Sequence, residues 1–304
     1  DGVDFVADYV WCEPSGRPFN SHDLLPDQRP FNPCVNSGAI MTAGLVASGH
    51  PDKGVEALTE MMMATWQSLC GGGLRGTVRL DRETMVAEKA TADNNFAIAY
   101  NLRGRRGLPR GVELEKMLDL YFACCSIEVT CEMLAIAAAT LANGGVNPFT
   151  QVEVFDAAVV RSVLCQMASS GMYDGSGAFT LRVGLPAKSG VAGAVLVVVP
   201  NVAGFASFSP RLDEQGNSCR GIEFFRRLTT SYRFHVFEPL AGGNTGMKQD
   251  PRGGSHIAVR REAGLLAWAT RVGDVNALRI HHAVVSVMCE MAFVDGDSAA
   301  KLDC

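Results

Sequence analysis

A lone lysine set among small and apolar residues is the first chemical signal in this sequence. In Leu185-Pro186-Ala187-Lys188-Ser189-Gly190-Val191-Ala192-Gly193, the ammonium of Lys188 is costly to bury unless something anionic meets it. The small residues around it leave room for a ligand to approach the backbone, and a strand N–H aimed into a cleft can stabilise a developing oxyanion. Taken alone, such a lysine reads as one solvated on a turn. The histidines, His22, His50, His235, His256, His281 and His282, form no H-E-x-x-H or comparable ligand set, and the neighbours His281 and His282 diverge on a helix. The ten cysteines lie in apolar, periodic surroundings without a C-x-x-C pair, so they are expected as reduced, buried thiols rather than zinc ligands. Neither a metal nor a cofactor is expected.

Several elements must hold that lysine in place. Val55, Leu58, Met61, Met62 and Leu69 have helical spacing and run into Gly71 to Gly73, a C-terminal stop; the methionine face reads as core packing. Leu114, Met117, Leu118, Tyr121 and Cys125 repeat at three and four residues, which puts Tyr121 on or beside the buried face of a second helix. A third, rich in alanine, runs from Met133 to Leu141 and ends at Asn143-Gly144-Gly145, where a left-handed stop is expected. A fourth is expected from about Val154 to Met167, with Phe155, Val159, Val163 and Met167 at four-residue steps. Phe179, Leu181 and Val183 alternate with Thr180 and Arg182, the pattern of a half-buried strand. The run Val195 to Val199, closed by Pro200, predicts a central strand covered on both faces. Helices first and antiparallel strands last make an α+β domain.

Composition excludes some classes of function. The chain has 304 residues, formal net charge -5 and no basic run, so nucleic acid is not an expected partner. Its longest apolar run, Val191 to Val202, is broken by glycine and proline and is too short to span a bilayer. No membrane association is expected. Between Ala241 and His256 the sequence A-G-G-N-T-G-M-K-Q-D-P-R-G-G-S-H reads as a linker. Beyond it, Gly264 to Ala269, then Gly273-Asp274, then Val275 to Val285 resemble the helix, turn and helix of an ankyrin repeat. One such unit cannot bury its face alone, so residues 257–304 are expected to begin an ankyrin-like array.

Read together, collinear blocks identify a resemblance. Lys188-Ser189-Gly190 resembles the Lys-Thr-Gly strand of penicillin-recognising serine enzymes. Asn32 to Ile40 resembles N-P-x-V-N-A-G-A-I of the glutaminases, with Ser37 in place of alanine, and Glu88 with Asp93 to Ile98 resembles their E-x4-D-x-N-F/Y-A-I block. Cys125 to Cys131, Ala138 to Gly145, Gly171 to Asp174, Gly184 to Gly193, Pro200-Asn201-Val202, Gly216-Asn217-Ser218 and Phe234-His235 continue the match over roughly the first 240 residues. Departures fall at Asn20 to Pro26, where animal relatives have a more apolar gating loop, and at Gly175, where they have an aromatic residue.

The resemblance implies a serine β-lactamase/penicillin-binding-protein-like catalytic domain over residues 1–240, a linker at 241–256, and an L-glutamine amidohydrolase working through a γ-glutamyl-serine intermediate. Its substrate contacts fall on Asn36, Glu88, Asn95, Tyr121, Tyr173 and the Val191 N–H, with Tyr173, Lys188 and Val191 in catalytic roles. These types suit glutamine, whose α-ammonium needs an anion such as Glu88 and whose carboxylate and amide need Asn and Tyr donors. The family's nucleophile lies on a Ser-x-x-Lys helix upstream of its E-P-S-G element, here Glu13-Pro14-Ser15-Gly16. The twelve residues before Glu13 contain neither Ser nor Lys, so the chain by itself is expected to be inactive. Ser298-Ala299-Ala300-Lys301, beyond the linker, is assigned to chance.

The resemblance also implies a homo-oligomer, a tetramer in the kidney- and liver-type members, and a mitochondrial matrix address if the source is eukaryotic, cytoplasmic otherwise. A protein partner would bind through the ankyrin-like tail. Two competitors stay open: a penicillin-binding or β-lactamase-like acyl transferase, which needs Lys188-Ser189-Gly190 but not the Glu88 and Asn95 blocks, and a catalytically dead binding protein that keeps the pocket.

Overall fold

The computed structural model describes residues 2–237. The predicted linker, the ankyrin-like segment and Ser298 to Lys301 lie outside the described residues. Helices come first: α1 (Val3–Ala7), α2 (Asn36–Gly49), α3 (Val55–Leu69), α4 (Arg82–Ala90), α5 (Asp93–Arg105) and α6 (Leu114–Cys125). A small antiparallel pair, β1 (Arg79–Leu80) with β2 (Ile127–Glu128), is interleaved with them. Then come α7 (Cys131–Ala142), α8 (Ala157–Ser170), a short 3-10 turn (Tyr173–Gly175) and α9 (Ser176–Arg182). An antiparallel sheet in the order β3 (Ala187–Ser189), β4 (Ala194–Val199) and β5 (Ala203–Phe208) is followed by α10 (Cys219–Tyr232). This is the expected α+β arrangement.

The valine run behaves as its composition predicts. On β4, Val195, Val197 and Val199 join a core with Phe179, Phe205 and Phe225 on one face of the sheet, while Leu196 and Val198 join Met133, Ala137 and Ala138 on the other. Side chains alternate across a strand, so a strand covered twice must be apolar at every position. A separate helical core gathers Ile40 and Met41 of α2, Leu58 of α3, Ile98 and Leu102 of α5, and Met117, Leu118 and Phe122 of α6. Tyr121 is 9% exposed, on the buried face that the spacing predicts.

The alanines of α7 answer a steric demand. A Cβ built on Gly204 of β5 would stand 2.0 Å from the Ala139 nitrogen, so helix and strand touch backbone to backbone where neither has bulk. The ends of the helices follow their punctuation. Gly71 and Gly72 adopt φ of +89° and +66° after α3, and Gly144 adopts +70° after α7.

Two expectations fail here. Residues 179–183 are not a strand: α9 runs Ser176–Arg182, Ser176, Phe179 and Val183 are buried at helical spacing, and Leu181 is 80% exposed. In a helix residues four apart share a face and the one between them does not, so Phe179 and Val183 turn inward while Leu181 faces out, and the buried hydroxyl of Ser176 ties the helix start to the preceding turn. On α8 the buried face is Val160, Leu164 and Met167, while Val159 and Val163 are exposed. Asp156 caps this helix by accepting from the Ala158 and Val159 N–H groups, both at 2.8 Å, which starts it at Ala157.

The cysteines need a correction as well. Of the eight described, all free, only Cys70 is fully buried, and Cys12, Cys125, Cys165 and Cys219 are exposed. They sit on helix margins and loop edges, where a small apolar side chain is tolerated without a core position.

The contact at Gly204 predicts that Gly204→Ala forces α7 off the sheet and costs about 1–3 kcal/mol, as overpacking generally does. Gly177→Ala, on α9 with nothing within 4 Å of the added carbon, should be neutral or slightly stabilising. Urea unfolding of the two variants beside the parent checks the contrast.

Candidate functional site

Asn36 opens α2 and is fixed on two sides. Its N–H donates to the Phe19 carbonyl at 2.7 Å, and its side-chain amide donates to Asn95 Oδ1 at 3.2 Å. The Tyr121 hydroxyl donates to Asn36 Oδ1 at 3.3 Å. Three helices, α2, α5 and α6, thus each contribute one residue to a hydrogen-bonded row. The loop before α2 is shaped by the buried Asn32, whose amide donates to the Glu13 carbonyl at 2.7 Å and whose Oδ1 accepts from the Cys34 N–H at 2.9 Å. Burial pushes the Tyr121 phenol well above its usual range, and the neighbouring Cys125, Glu88 and Tyr173 push it the same way. It is therefore a protonated donor at neutral pH.

Glu88 sits exposed in the last turn of α4. The next residue, Lys89, forms an ion pair with Asp119 of α6 at 2.6 Å. That pair holds the end of α4 against the helix that carries Tyr121. The Glu88 carboxylate is close enough to act electrostatically on both Tyr121 and Cys125.

Tyr173 and Lys188 form the other half. Lys188 lies on β3, with its ammonium 4.6 Å from the centre of the Tyr173 ring and donating to the Ser189 carbonyl. The solvated-turn reading of Lys188 fails, because β3 pairs with β4 and brings the lysine inward. The residue as a whole is half-buried. Burial around the ammonium pulls its pKa below the ordinary lysine value, and Cys34 acts in the opposite direction. Among the described residues no carboxylate forms a salt bridge with it. The Tyr173 hydroxyl donates to the Ser189 carbonyl at 3.2 Å. Burial, with a contribution from Cys34, pushes this phenol up to about 12, so it too carries its proton.

Val191 lies in the turn between β3 and β4, which is closed by the Gly193 N–H donating to Gly190 at 2.8 Å and the Gly190 N–H donating to Ala194 at 2.9 Å. The residue is 54% exposed. A Cβ on Gly216 would stand 3.8 Å from the Tyr173 ring and 3.9 Å from the Val191 side chain, so all three border the same space.

Phe19 joins the two halves. Its carbonyl holds Asn36, and its ring lies 5.4 Å from that of Tyr173. A small cavity between Pro14, Ser15, Phe19, Asn32 and Tyr173 adjoins this contact. The structure thus brings Asn36, Asn95 and Tyr121 into direct contact, sets Glu88 beside Tyr121, and gathers Tyr173, Lys188 and Val191 about β3. Sequence reasoning did not single out Phe19 or Cys34. Phe19 carries no pattern, and Cys34 occupies the unspecified position of its block. Among the described residues no group of three or more His, Cys, Asp or Glu could hold a metal ion, and no helix is long and apolar enough to cross a membrane.

Comparison with known proteins places the chain in a family. A sequence model of the family described as Glutaminase matches residues 1–237. The mitochondrial liver isoform of glutaminase from Rattus norvegicus is 42% identical over 279 residues, covering 91% of this chain and 45% of the rat protein. The chain therefore spans less than half the length of that animal relative. A glutaminase from Clostridium tetani is 38% identical over 240 residues, covering 78% of this chain and 76% of the bacterial one. Among solved structures, a Bacillus glutaminase crystallised with 4.3 M NaCl superposes with a TM-score of 0.70 at 30% identity, covering 78% of each chain.

The placement of Lys188 predicts a pH signature. Its folded pKa is depressed, so the unfolded chain binds more protons between that pKa and the unfolded value near ~10.4, and stability rises with pH across this window. Lys188→Met removes the dependence. The stability difference between variant and parent, from urea unfolding between pH 7 and 10, should shift in favour of the parent as pH rises. A constant difference would place the ammonium in water.

Proposed function

The chain belongs to the glutaminase family, and we propose that the protein it comes from hydrolyses L-glutamine to L-glutamate and ammonia. The observation that carries this reading is the row Asn95, Asn36 and Tyr121, with the Glu88 carboxylate acting on its Tyr121 end and its central Asn36 joined through Phe19 to Tyr173. An amino acid bearing a side-chain amide suits such a site. Glu88 takes the α-ammonium, and the Asn and Tyr donors take the α-carboxylate and the amide.

In this reading a serine hydroxyl attacks the side-chain amide carbon. The carbonyl electrons move onto oxygen, and the Val191 N–H receives the oxyanion while Lys188 supplies positive potential. Collapse breaks the C–N bond as the nitrogen is protonated, ammonia leaves, and water then cleaves the γ-glutamyl ester. Tyr173 fits the proton-donating side of this sequence, because its phenol keeps its proton at neutral pH. Within residues 2–237 no Ser is followed three positions later by Lys, so the nucleophile and its lysine base are assigned to a Ser-x-x-Lys element outside that stretch. A domain of the serine β-lactamase-like class over 1–240, an ankyrin-like array beginning at 257–304, a homotetramer and, for a eukaryotic source, a mitochondrial matrix address, cytoplasmic otherwise, complete the proposal. The rat relative, a mitochondrial isoform, supports a mitochondrial address.

Ammonia release from L-glutamine by the whole protein is the primary test. Binding of glutamine without turnover would instead identify a binding protein. Glu88→Gln keeps shape and removes charge. The carboxylate is exposed, so the low end of a charge-assisted contact, about 1.5 kcal/mol, applies, or roughly a 10-fold loss in kcat/KM. The ammonium stays charged throughout the reaction, which places the loss in KM with kcat nearly unchanged. Steady-state kinetics with a thermal melt check this: an unaltered KM removes Glu88 from the site.

A further inference from the structure

Tyr173 holds a left-handed backbone conformation, φ +53°. For a bulky side chain this is sparsely populated and persists only where the surroundings over-determine it. Two buried side chains from separate parts of the chain supply the determination. Ser176, 3% exposed, accepts from the Met172 N–H at 3.0 Å and donates to the Tyr173 carbonyl at 2.7 Å, gripping both sides of the residue's backbone. Asn217, 1% exposed, donates its amide to the Met172 carbonyl at 3.0 Å, while its own N–H is held by Asp213 Oδ1 at 2.8 Å. The Asp213 N–H also donates to the Asn217 carbonyl at 2.8 Å, so the turn that carries Asn217 is fixed and its amide is aimed at Met172. Just upstream, the Gly171 carbonyl accepts from the Ser189 N–H at 2.9 Å. The backbone on both sides of Tyr173 is thereby fixed by these groups, together with the turn bond from the Gly175 N–H to the Met172 carbonyl at 3.0 Å.

We propose that Ser176 and Asn217 are positioning residues for the reaction, a clamp that acts through the Met172 and Tyr173 backbone to hold the Tyr173 phenol against the Ser189 carbonyl and beneath the Lys188 ammonium. The kinetic part rests on the glutamine-hydrolysis reading above; the structural part rests on geometry alone. Released from the clamp, residue 173 relaxes to an ordinary backbone conformation and its hydroxyl leaves β3. Misplacement of a reacting group by an ångström costs about 100-fold in rate.

A double-mutant cycle on the whole protein separates positioning from general stability. Ser176→Ala should lower kcat by roughly 10- to 100-fold with little change in KM, and Ser176→Thr, which keeps the hydroxyl, should recover most of it. In a Tyr173→Phe background the same Ser176→Ala change should cost little further. An equal loss in both backgrounds would overturn the clamp. If Ser176→Ala does not fold, Asn217→Asp, which keeps shape and loses the amide donor, takes its place. A second readout needs no turnover: in tyrosine-ring-labelled protein, the Tyr173 signal is assigned by its loss in Tyr173→Phe. That signal should move in the clamp variants. Movement in a protein that does not hydrolyse glutamine leaves the clamp standing and removes the functional reading. An unmoved signal in a protein that does hydrolyse it removes the clamp alone.

Discussion

The hydrogen bond from the Ser189 N–H to the Gly171 carbonyl, 2.9 Å long, joins the end of α8 to the edge of the sheet, and the site is assembled around it. A Cβ on Gly171 would fall 1.8 Å from the Ala187 carbonyl, so only glycine lets the helix end come so close. Beyond it Met172 enters the core and Tyr173 turns back, which brings a phenol from one segment beside a lysine from another. The pairing of β3 with β4, and of β4 with β5, holds the lysine's side of that contact. The close seat of α7 on β5 at Gly204 holds the sheet in turn.

This arrangement retains an ammonium in a place that disfavours it. Lys188 has the face of Tyr173 and the Ser189 carbonyl as partners, and neither neutralises it as a carboxylate would. A cation–π contact contributes on the order of 1–2 kcal/mol when desolvated, less than full burial of a charge costs. In the proposed reading this cation serves as fixed positive potential for the charge that develops on the substrate. Glu88 provides the opposite sign, exposed beside Tyr121. In the proposed reading the site is therefore polarised, with an anion for the substrate's ammonium and a cation near the developing oxyanion.

Much of the fold was legible where one physical signal dominated. The valine run of β4, the alanine-rich α7 and the buried stripe of α6 each satisfy one strong constraint, and each formed as composition and period require. Short segments were less legible. Residues 179–183 alternate like a strand, yet the hydroxyl of Ser176 and the burial of Phe179 and Val183 at helical spacing make them α9. The buried face of α8 lies one residue on from Val159 and Val163, at Val160 and Leu164, a shift that four-residue steps do not resolve. At the site, residue types came from collinear blocks, whereas the left-handed turn of Tyr173 and the bridging role of Phe19 exist only through tertiary contacts. No local pattern announces a tyrosine at positive φ, because the groups that enforce it include Asn217, far along the chain.

In the proposed reading a single ligand engages both halves of the site at once. A crystal structure of the protein bound to L-glutamate tests it most directly. The α-ammonium is expected within about 3 Å of the Glu88 carboxylate, with the γ-carboxylate at hydrogen-bond distance from the Val191 N–H or the Tyr173 hydroxyl. Density for the ligand away from Glu88, or none under saturating glutamate, would contradict it.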